Sequence, residues 1–288
     1  MYKYLNILQD ILDNGFNKQD RTGTGTLATS GVLFKHNMSE GFPVVTTKRV
    51  PFNLVASELE FFIKGITDKH WLHERNNHIW DEWCSSDKIP YSHDITEQQK
   101  MRDENCLGPL YGWQWRHFGG AYTNEYSDYT NVGIDQFKNL VDTLKSDPDS
   151  RRMLVVAWNP IDNYRMALPP CHWSFQCTVI DGKLNLMWNQ RSVDSFLGLP
   201  FNITSYALLL HLLAKECKLA EGYLCGFLGD VHLYTTHLSQ VATQLTREPY
   251  PLPDITTNNF TSIFDWVYTD SSLQGYKYHP GIKAPIAV

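Results

Sequence analysis

The sequence predicts an α+β fold in one compact domain over residues 1–288, a mixed β-sheet packed with helices. Three observations point there. Hydrophobic residues make up 42% of the chain and charged residues 19%, a globular balance that supports a sizeable core. Strand-like and helix-like segments mix without the regular alternation of a doubly wound sheet. No repeat, low-complexity tract or Gly/Ser/Pro linker divides the 288 residues, a length that alone would allow one large domain or two.

Tyr4, Leu5, Leu8, Ile11 and Leu12 recur at helical spacing, and Gly15 supplies a stop. Leu54 to Ile63 reads as a second helix, with Glu58 set among apolar neighbours. Between Cys84 and Cys106 the chain turns polar, so residues 84–106 read as a surface insertion. Asp135 to Leu144 forms an amphipathic helix ending near Pro148. Met153 to Trp158, Ser174 to Ile180 and Lys183 to Trp188 read as strands, the last two joined by the hairpin signal Asp181-Gly182. Phe201 to Lys218 is a long, almost wholly apolar helix, which predicts deep burial.

Charge and cysteine usage narrow the function. A net charge of −6 is no global attractor for nucleic acid, so an anionic ligand must be held by a few local arginines. The longest apolar run, Met153 to Trp158, falls far short of the roughly 20 residues of a membrane span. The opening residues carry no charged-then-apolar signal segment. Six scattered cysteines without metal-type pairing suggest free thiols in a reducing cytoplasm.

Several segments carry chemistry. Asp20-Arg21-Thr-Gly-Thr-Gly-Thr26 combines backbone freedom with a cation suited to phosphate, although it equally describes a tight turn with a solvated arginine. Arg151-Arg152 opens a strand, where neighbouring side chains face opposite ways unless the pair sits in the preceding turn. Arg191-Ser192 and Asp194 place a cation, a hydroxyl and a carboxylate within four positions. Together these arginines suggest a phosphate monoester. In Leu168-Pro-Pro-Cys-His172 two prolines restrict the chain before Cys171, presenting its thiol at the edge of an element, where Arg191 could lower its pKa. His172, adjacent on an extended chain, faces away and is a poor base for it. A lone cysteine is otherwise a small buried hydrophobe. Glu58 is a buried carboxyl able to carry a proton, or simply a hydrogen-bonded core acid. His78-Ile-Trp-Asp-Glu-Trp83 and Tyr111-Gly-Trp-Gln-Trp-Arg116 concentrate rings for a planar ligand or for packing. His232 and Tyr234 stand two apart and, if extended, share one face. Asp230, His232 and His237 match no usual metal spacing, so no metal is expected. Asn202 offers an amide acceptor and an amide donor side by side, a two-point match to a lactam edge.

These segments together closely resemble the thymidylate synthase family. Phe-Pro-Val-Val-Thr-Thr-Lys-Arg, Leu-Gly-Pro-Leu-Tyr-Gly-Trp-Gln-Trp-Arg, Ala-Trp-Asn-Pro, Gln-Arg-Ser-Val-Asp, Gly-Leu-Pro-Phe-Asn and Gly-Asp-Val-His-Leu-Tyr add to those above, and Lys-Ala-Pro-Ile-Ala-Val closes the match, in order, from about Tyr4 to Val288. The resemblance implies a sheet-mediated homodimer that converts dUMP and 5,10-methylenetetrahydrofolate to dTMP and dihydrofolate, without metal, membrane or nucleic acid. It implies that Cys171 adds to uracil C6, with Glu58, Tyr111, His172, Asp194 and Asn202 also in the catalytic set. For dUMP it implies Arg21, Gln190, Arg191, Ser192, Val193, Asp194, Asn202, His232, Leu233 and Tyr234, with Arg151 and Arg152 reaching in from the second subunit. For the folate it implies Trp80, Asp194 and Ala287, with the last residues, ending in Val288, closing over the site.

Departures from the family pattern are few. Pro51 stands where many relatives carry a folate-contacting His, so that contact does not carry over. Asn189 replaces a more usual Tyr, and Trp173 is bulkier than usual; both are expected to alter the water structure near Cys171. That bears on the alternative, a dUMP hydroxymethylase, in which water rather than hydride reaches the one-carbon unit. A catalytically silent nucleotide- or RNA-binding protein on the same scaffold is the reading from a different class.

Overall fold

The computed structural model describes residues 1–92 and 94–287. Helix α1 (Tyr2–Asn14) leads into the short β1 (Phe16–Lys18) and the long β2 (Thr26–Asn37). The apolar stripe of α1 puts Tyr4, Leu5, Leu8 and Ile11 in the core, and α1 stops where Gly15 turns extended. Next come α2 (Phe52–Ile63), α3 (His70–His73), α4 (Ile95–Asp103), α5 (Tyr111–His117) and α6 (Gln136–Ser146). The second half supplies β3 (Leu154–Val156), β4 (His172–Ile180), β5 (Lys183–Asp194), α7 (Gly198–Cys217), β6 (Ala220–Tyr234), α8 (Leu238–Leu245) and a small hairpin, β7 (Asp254–Thr257) with β8 (Ser271–Gln274).

Six strands form one sheet in the order β1-β2-β6-β5-β4-β3. Its pairs are antiparallel except β5 with β6, which α7 joins as a crossover. The sheet is therefore mixed and helix-packed, as the α+β reading requires. Pairing places Phe34, Gly226, Trp188, Phe175 and Val155 in one row across five strands, all buried. This row lies on the face covered by the apolar α7, which packs on β5 and β6. Gly226 is required here: a Cβ would meet the Trp188 ring at 2.4 Å. The next row, Leu33, Phe227, Asn189, Ser174 and Val156, lies on the opposite face. There Leu33 is 55% exposed and Phe227 50%.

Some boundaries differ from expectation. The strand expected over 153–158 shortens to β3, because the Gln136 amide takes over its backbone groups: Val156 N–H donates to Oε1 at 3.1 Å and Nε2 donates to Val156 O at 2.8 Å. Strand β5 runs on past Trp188, because parallel pairing with β6 holds Ser192 opposite Asp230 and Asp194 opposite His232. Arg191 and Ser192 thus lie within the strand rather than after it. Arg151 and Arg152 precede β3 in a bend, both exposed. Residues 84–106 are not all surface: α4 forms inside the segment, and Cys84, Met101 and Cys106 are buried. Lys69, itself fully buried, anchors the segment by donating to Met101 O at 2.6 Å. All six cysteines are free thiols. No helix among the described residues is long and apolar enough to cross a membrane.

Candidate active site

A cavity of about 950 Å³ opens where the C-terminal ends of β5 and β6 meet the start of α7, the loop before β2 and the chain terminus. Of the expected residues it brings together Arg21, Glu58, Trp80, Tyr111, Cys171, His172, Gln190, Arg191, Ser192, Asp194, Asn202, His232, Tyr234 and Ala287. The Val193 and Leu233 side chains are fully buried in the hydrophobic cluster and outside the lining, because strand alternation turns them from it. Arg151 and Arg152 also lie outside the cavity of their own chain. Val288 falls outside the described residues.

Cys171 sits just before β4, held by its backbone. Its N–H donates to the Tyr111 hydroxyl at 2.9 Å, and its carbonyl accepts from Arg191 N–H at 2.8 Å. Because Cys171 lies outside the strand, ideal alternation does not bind it to His172, and both border the cavity. The His172 Nδ1 lies 2.9 Å from the Tyr206 hydroxyl, and the ring stacks on Tyr111 with centroids 4.3 Å apart. Burial pushes the His172 pKa down to about 3, so the imidazole is neutral at ordinary pH. Burial also raises the Cys171 thiol, outweighing the opposite pull of Arg191 and Arg21. The expected lowering by Arg191 is thus corrected: it operates, but desolvation is the larger effect. The Arg191 guanidinium donates to Pro170 O at 3.0 Å and Pro169 O at 2.8 Å, tying it to the Pro-Pro turn that presents the thiol.

Polar groups on the opposite wall are held in chosen orientations. Trp188 Nε1 donates to Gln190 Oε1 at 3.1 Å, and Gln190 Nε2 donates to Asn202 Oδ1 at 3.0 Å. This relay leaves the Asn202 amino group free to donate into the cavity. Asp194 Oδ1 accepts from the N–H groups of Phe196 and Leu197, each at 3.0 Å, shaping the entry to α7. His232 Nδ1 lies 3.0 Å from Asp230 Oδ1, and β6 directs Tyr234 to the same face. Glu58 is half-buried, yet its carboxyl borders the cavity, where desolvation raises its pKa to about 7. Trp80 Nε1 donates to it at 2.8 Å. The loop from Asp20 is a true turn: Gly25 N–H donates to Asp20 Oδ1 at 3.2 Å, Gly23 and Gly25 take φ of 70° and 79°, and Arg21 projects exposed.

Sequence reasoning missed several contributors. Tyr206 and Trp188 read only as helix and strand core; their rings stack, centroids 5.2 Å apart, and each orients a cavity residue. Tyrosine and tryptophan carrying a polar tip in otherwise apolar runs were the available signal. Glu60 is more buried than Glu58, at 1% exposure, and is satisfied by Lys64 and by Tyr268 N–H. His237 pairs with the chain end, its Nε2 2.7 Å from Pro285 O, not with Asp230. Trp173 and Asn189 do not line the cavity: Trp173 is 36% exposed, and Asn189 donates to Ser174 Oγ at 3.0 Å on the far face of the sheet. Pro51 caps α2 outside the lining as well.

The sequence profile described as thymidylate synthase matches residues 2–288. The chain belongs to that family, whose enzymes transfer a one-carbon unit with dUMP and a folate as co-substrates, and is a dUMP-methylating enzyme or a close relative of one.

Proposed function

We propose that this member of the thymidylate synthase family is the methylating enzyme itself, converting dUMP and 5,10-methylenetetrahydrofolate to dTMP and dihydrofolate. The observation that carries the reading is the shared cavity of Cys171 and an orientation-locked Asn202. With Gln190 donating to Oδ1, the Asn202 amide presents a donor for O4, and its oxygen keeps a lone pair for N3–H. That is the edge of uracil. The apolar wall of Ile79, Trp80, Trp83, Leu197 and Phe201 fits a flat heterocycle on top of it.

In this reading Arg21, Arg191 and Ser192 hold the 5′-phosphate, and His232 with Tyr234 holds the ribose hydroxyl. Cys171 attacks as its thiolate, the form that Arg191 and Arg21 favour against desolvation, and its proton leaves to solvent in the cavity. The C6–S bond forms as the C5=C6 electron pair moves toward O4, giving an enolate whose C5 attacks the one-carbon unit. The folate supplies that carbon and the hydride. Loss of the C5 proton breaks the bond from the one-carbon unit to the folate nitrogen and leaves an exocyclic methylene. Hydride from the tetrahydrofolate adds to it, and the electron pair returning through C5 expels the C6 sulfur as thiolate, releasing dTMP and dihydrofolate. Neutral His172, held by Tyr206, orients water rather than taking the proton from Cys171. Glu58, with a pKa near 7, is poised to exchange a proton around the uracil carbonyl at ordinary pH. We place Arg151 and Arg152 in the site of a second copy, which their exposure outside their own cavity supports. The uncovered sheet face bearing Leu33 and Phe227 supports a homodimer through that face.

Incubation with dUMP and methylenetetrahydrofolate tests the reaction: dihydrofolate and dTMP should appear in equal amounts. Hydroxymethyl-dUMP without dihydrofolate would establish the hydroxymethylase instead. With 5-fluoro-dUMP and the folate, a covalent adduct should form on Cys171 and vanish in Cys171→Ala, which keeps its dUMP affinity because the arginines remain. A protein that only binds nucleotide or RNA gives no adduct.

A further inference from the structure

We propose that His73, His78 and Asp81 form a site for one divalent first-row transition ion, of the class that prefers imidazole nitrogen, on the outer side of the wall that carries Trp80. The three residues come together because α3 ends at His73 and the chain reverses through Asn76, whose φ is 54°. His73 Nε2 then lies 2.5 Å from one Asp81 oxygen, and His78 Nδ1 lies 3.0 Å from the other. The rings of His73 and His78 have centroids 4.7 Å apart, and one ligand atom from each of the three residues falls within 4.8 Å of the others.

Donor type selects the ion. Two imidazoles and one carboxylate suit zinc, cobalt, nickel or copper, whereas magnesium and calcium require a shell of oxygens. At metal–ligand bonds of about 2.0–2.1 Å, ligands lie about 3.3 Å apart around a tetrahedral ion and about 4.2 Å apart when trans in an octahedron. The observed spacing needs only a small inward swing, and the His78 side chain, 55% exposed, is free to make it. Solvent on that side supplies the remaining positions. His70, whose ring centroid is 5.0 Å from that of His73, is the next imidazole in reach. An ion here would take the place of the two His–Asp81 hydrogen bonds.

The site is separate from the chemistry. None of the three residues lines the cavity, but Ile79 and Trp80, between His78 and Asp81, do. A bound ion is therefore a clip across the turn that positions the Trp80 wall. The spacing His-x4-His-x2-Asp matches no standard ligand motif, which is why it is visible only in the fold.

The test uses the full-length protein without affinity-tag histidines. Titration with Co2+ followed by visible absorption, and with Zn2+ by calorimetry, should show one ion per chain, with Zn2+ displacing Co2+ and excess Mg2+ without effect. His78→Gln, exposed and able to keep a hydrogen bond to Asp81, should weaken binding at least tenfold with unchanged circular dichroism. Zn2+ should slow hydrogen–deuterium exchange over residues 73–83 in the wild type and not in the variant. The proposal is overturned if no saturable one-to-one binding occurs, if His78→Gln and Asp81→Asn both bind as the wild type does, or if a sulfur-to-cobalt charge-transfer band places the ion on cysteine. In those cases the three side chains are a hydrogen-bonded turn and nothing more.

Discussion

Glu58 shows how a single residue can oppose stability to serve a site. Desolvation raises its pKa from 4.5 to about 7, against the pull of the Trp80 N–H. Between those two values the folded state holds a proton that the unfolded chain has released, so stability falls as pH rises through that window. Above pH 7 the full cost of a desolvated charge is present; below 4.5 it is gone. Glu58→Gln should therefore melt higher than wild type at pH 8, by at most ~3 kcal/mol of stability, with the gain vanishing near pH 4. Thermal melts across that range check it, and activity should fall in the same variant. Trp188 acts at one remove. Trp188→Phe keeps the stack on Tyr206 but loses the N–H that holds Gln190 Oε1, so the Asn202 amide is freed to turn over. The expected result is a roughly tenfold loss in the kcat/KM preference for dUMP over dCMP, about one hydrogen bond's worth, with the melting temperature nearly unchanged.

At the scale of elements, the local code was readable where side chains repeat. Helices α1, α2 and α6 declared themselves by the spacing of apolar residues, α7 by its long apolar run, and the hairpin between β4 and β5 by Asp181-Gly182. Both hairpin residues take positive φ, 52° and 68°. Gly182→Ala should cost ~1 kcal/mol through that strained φ alone, since a Cβ there meets nothing within 4 Å. Denaturant titration would show it. Strand β2 was not legible: Gly31 and a run of Thr, Ser and Lys blur its alternation, and its pairing with β1 and β6 defines it. The chain end is held in the same way. His237 reaches Pro285 O, and the residues around it, Ile282 to Ala287, line the cavity. Loss of that tether in His237→Ala should raise the KM for the folate several-fold while leaving dUMP binding close to wild type, as steady-state kinetics with each substrate varied would show.

The whole molecule packs one sheet face under α7 and leaves Leu33 and Phe227 exposed on the other. Large apolar side chains exposed on a sheet face argue for a partner of like surface. On the homodimer proposed above, the wild type should sediment as two copies, and Phe227→Asp should sediment as a monomer and lose activity. A sharper expectation concerns the arginines. On that proposed homodimer, Cys171→Ala and the double variant Arg151→Ala/Arg152→Ala should each be nearly inactive alone. Mixed dimers should regain activity, because one of their two sites then holds an intact thiol and intact partner arginines. No recovery on mixing would return the arginine pair to its own subunit or to the surface.

The sequence by itself determined the amphipathic helices, the turn, the acidic balance and the ordered motifs, because each is written in side-chain periodicity or in a few adjacent residues. It also singled out much of the cavity lining: Cys171, Arg191, Asn202, His232 and Tyr234 all border it. Only the tertiary structure decided what surrounds them. The near-neutral pKa of Glu58, the neutral His172 and the raised thiol of Cys171 arise from desolvation by residues distant in sequence, which no local pattern encodes. Packing likewise joined Trp188 through Gln190 to Asn202, brought His73 and His78 onto Asp81, and turned Val193 and Leu233 away from the site. Residue type sets which interactions are possible, and burial and orientation, fixed by contacts across the whole chain, select those that form.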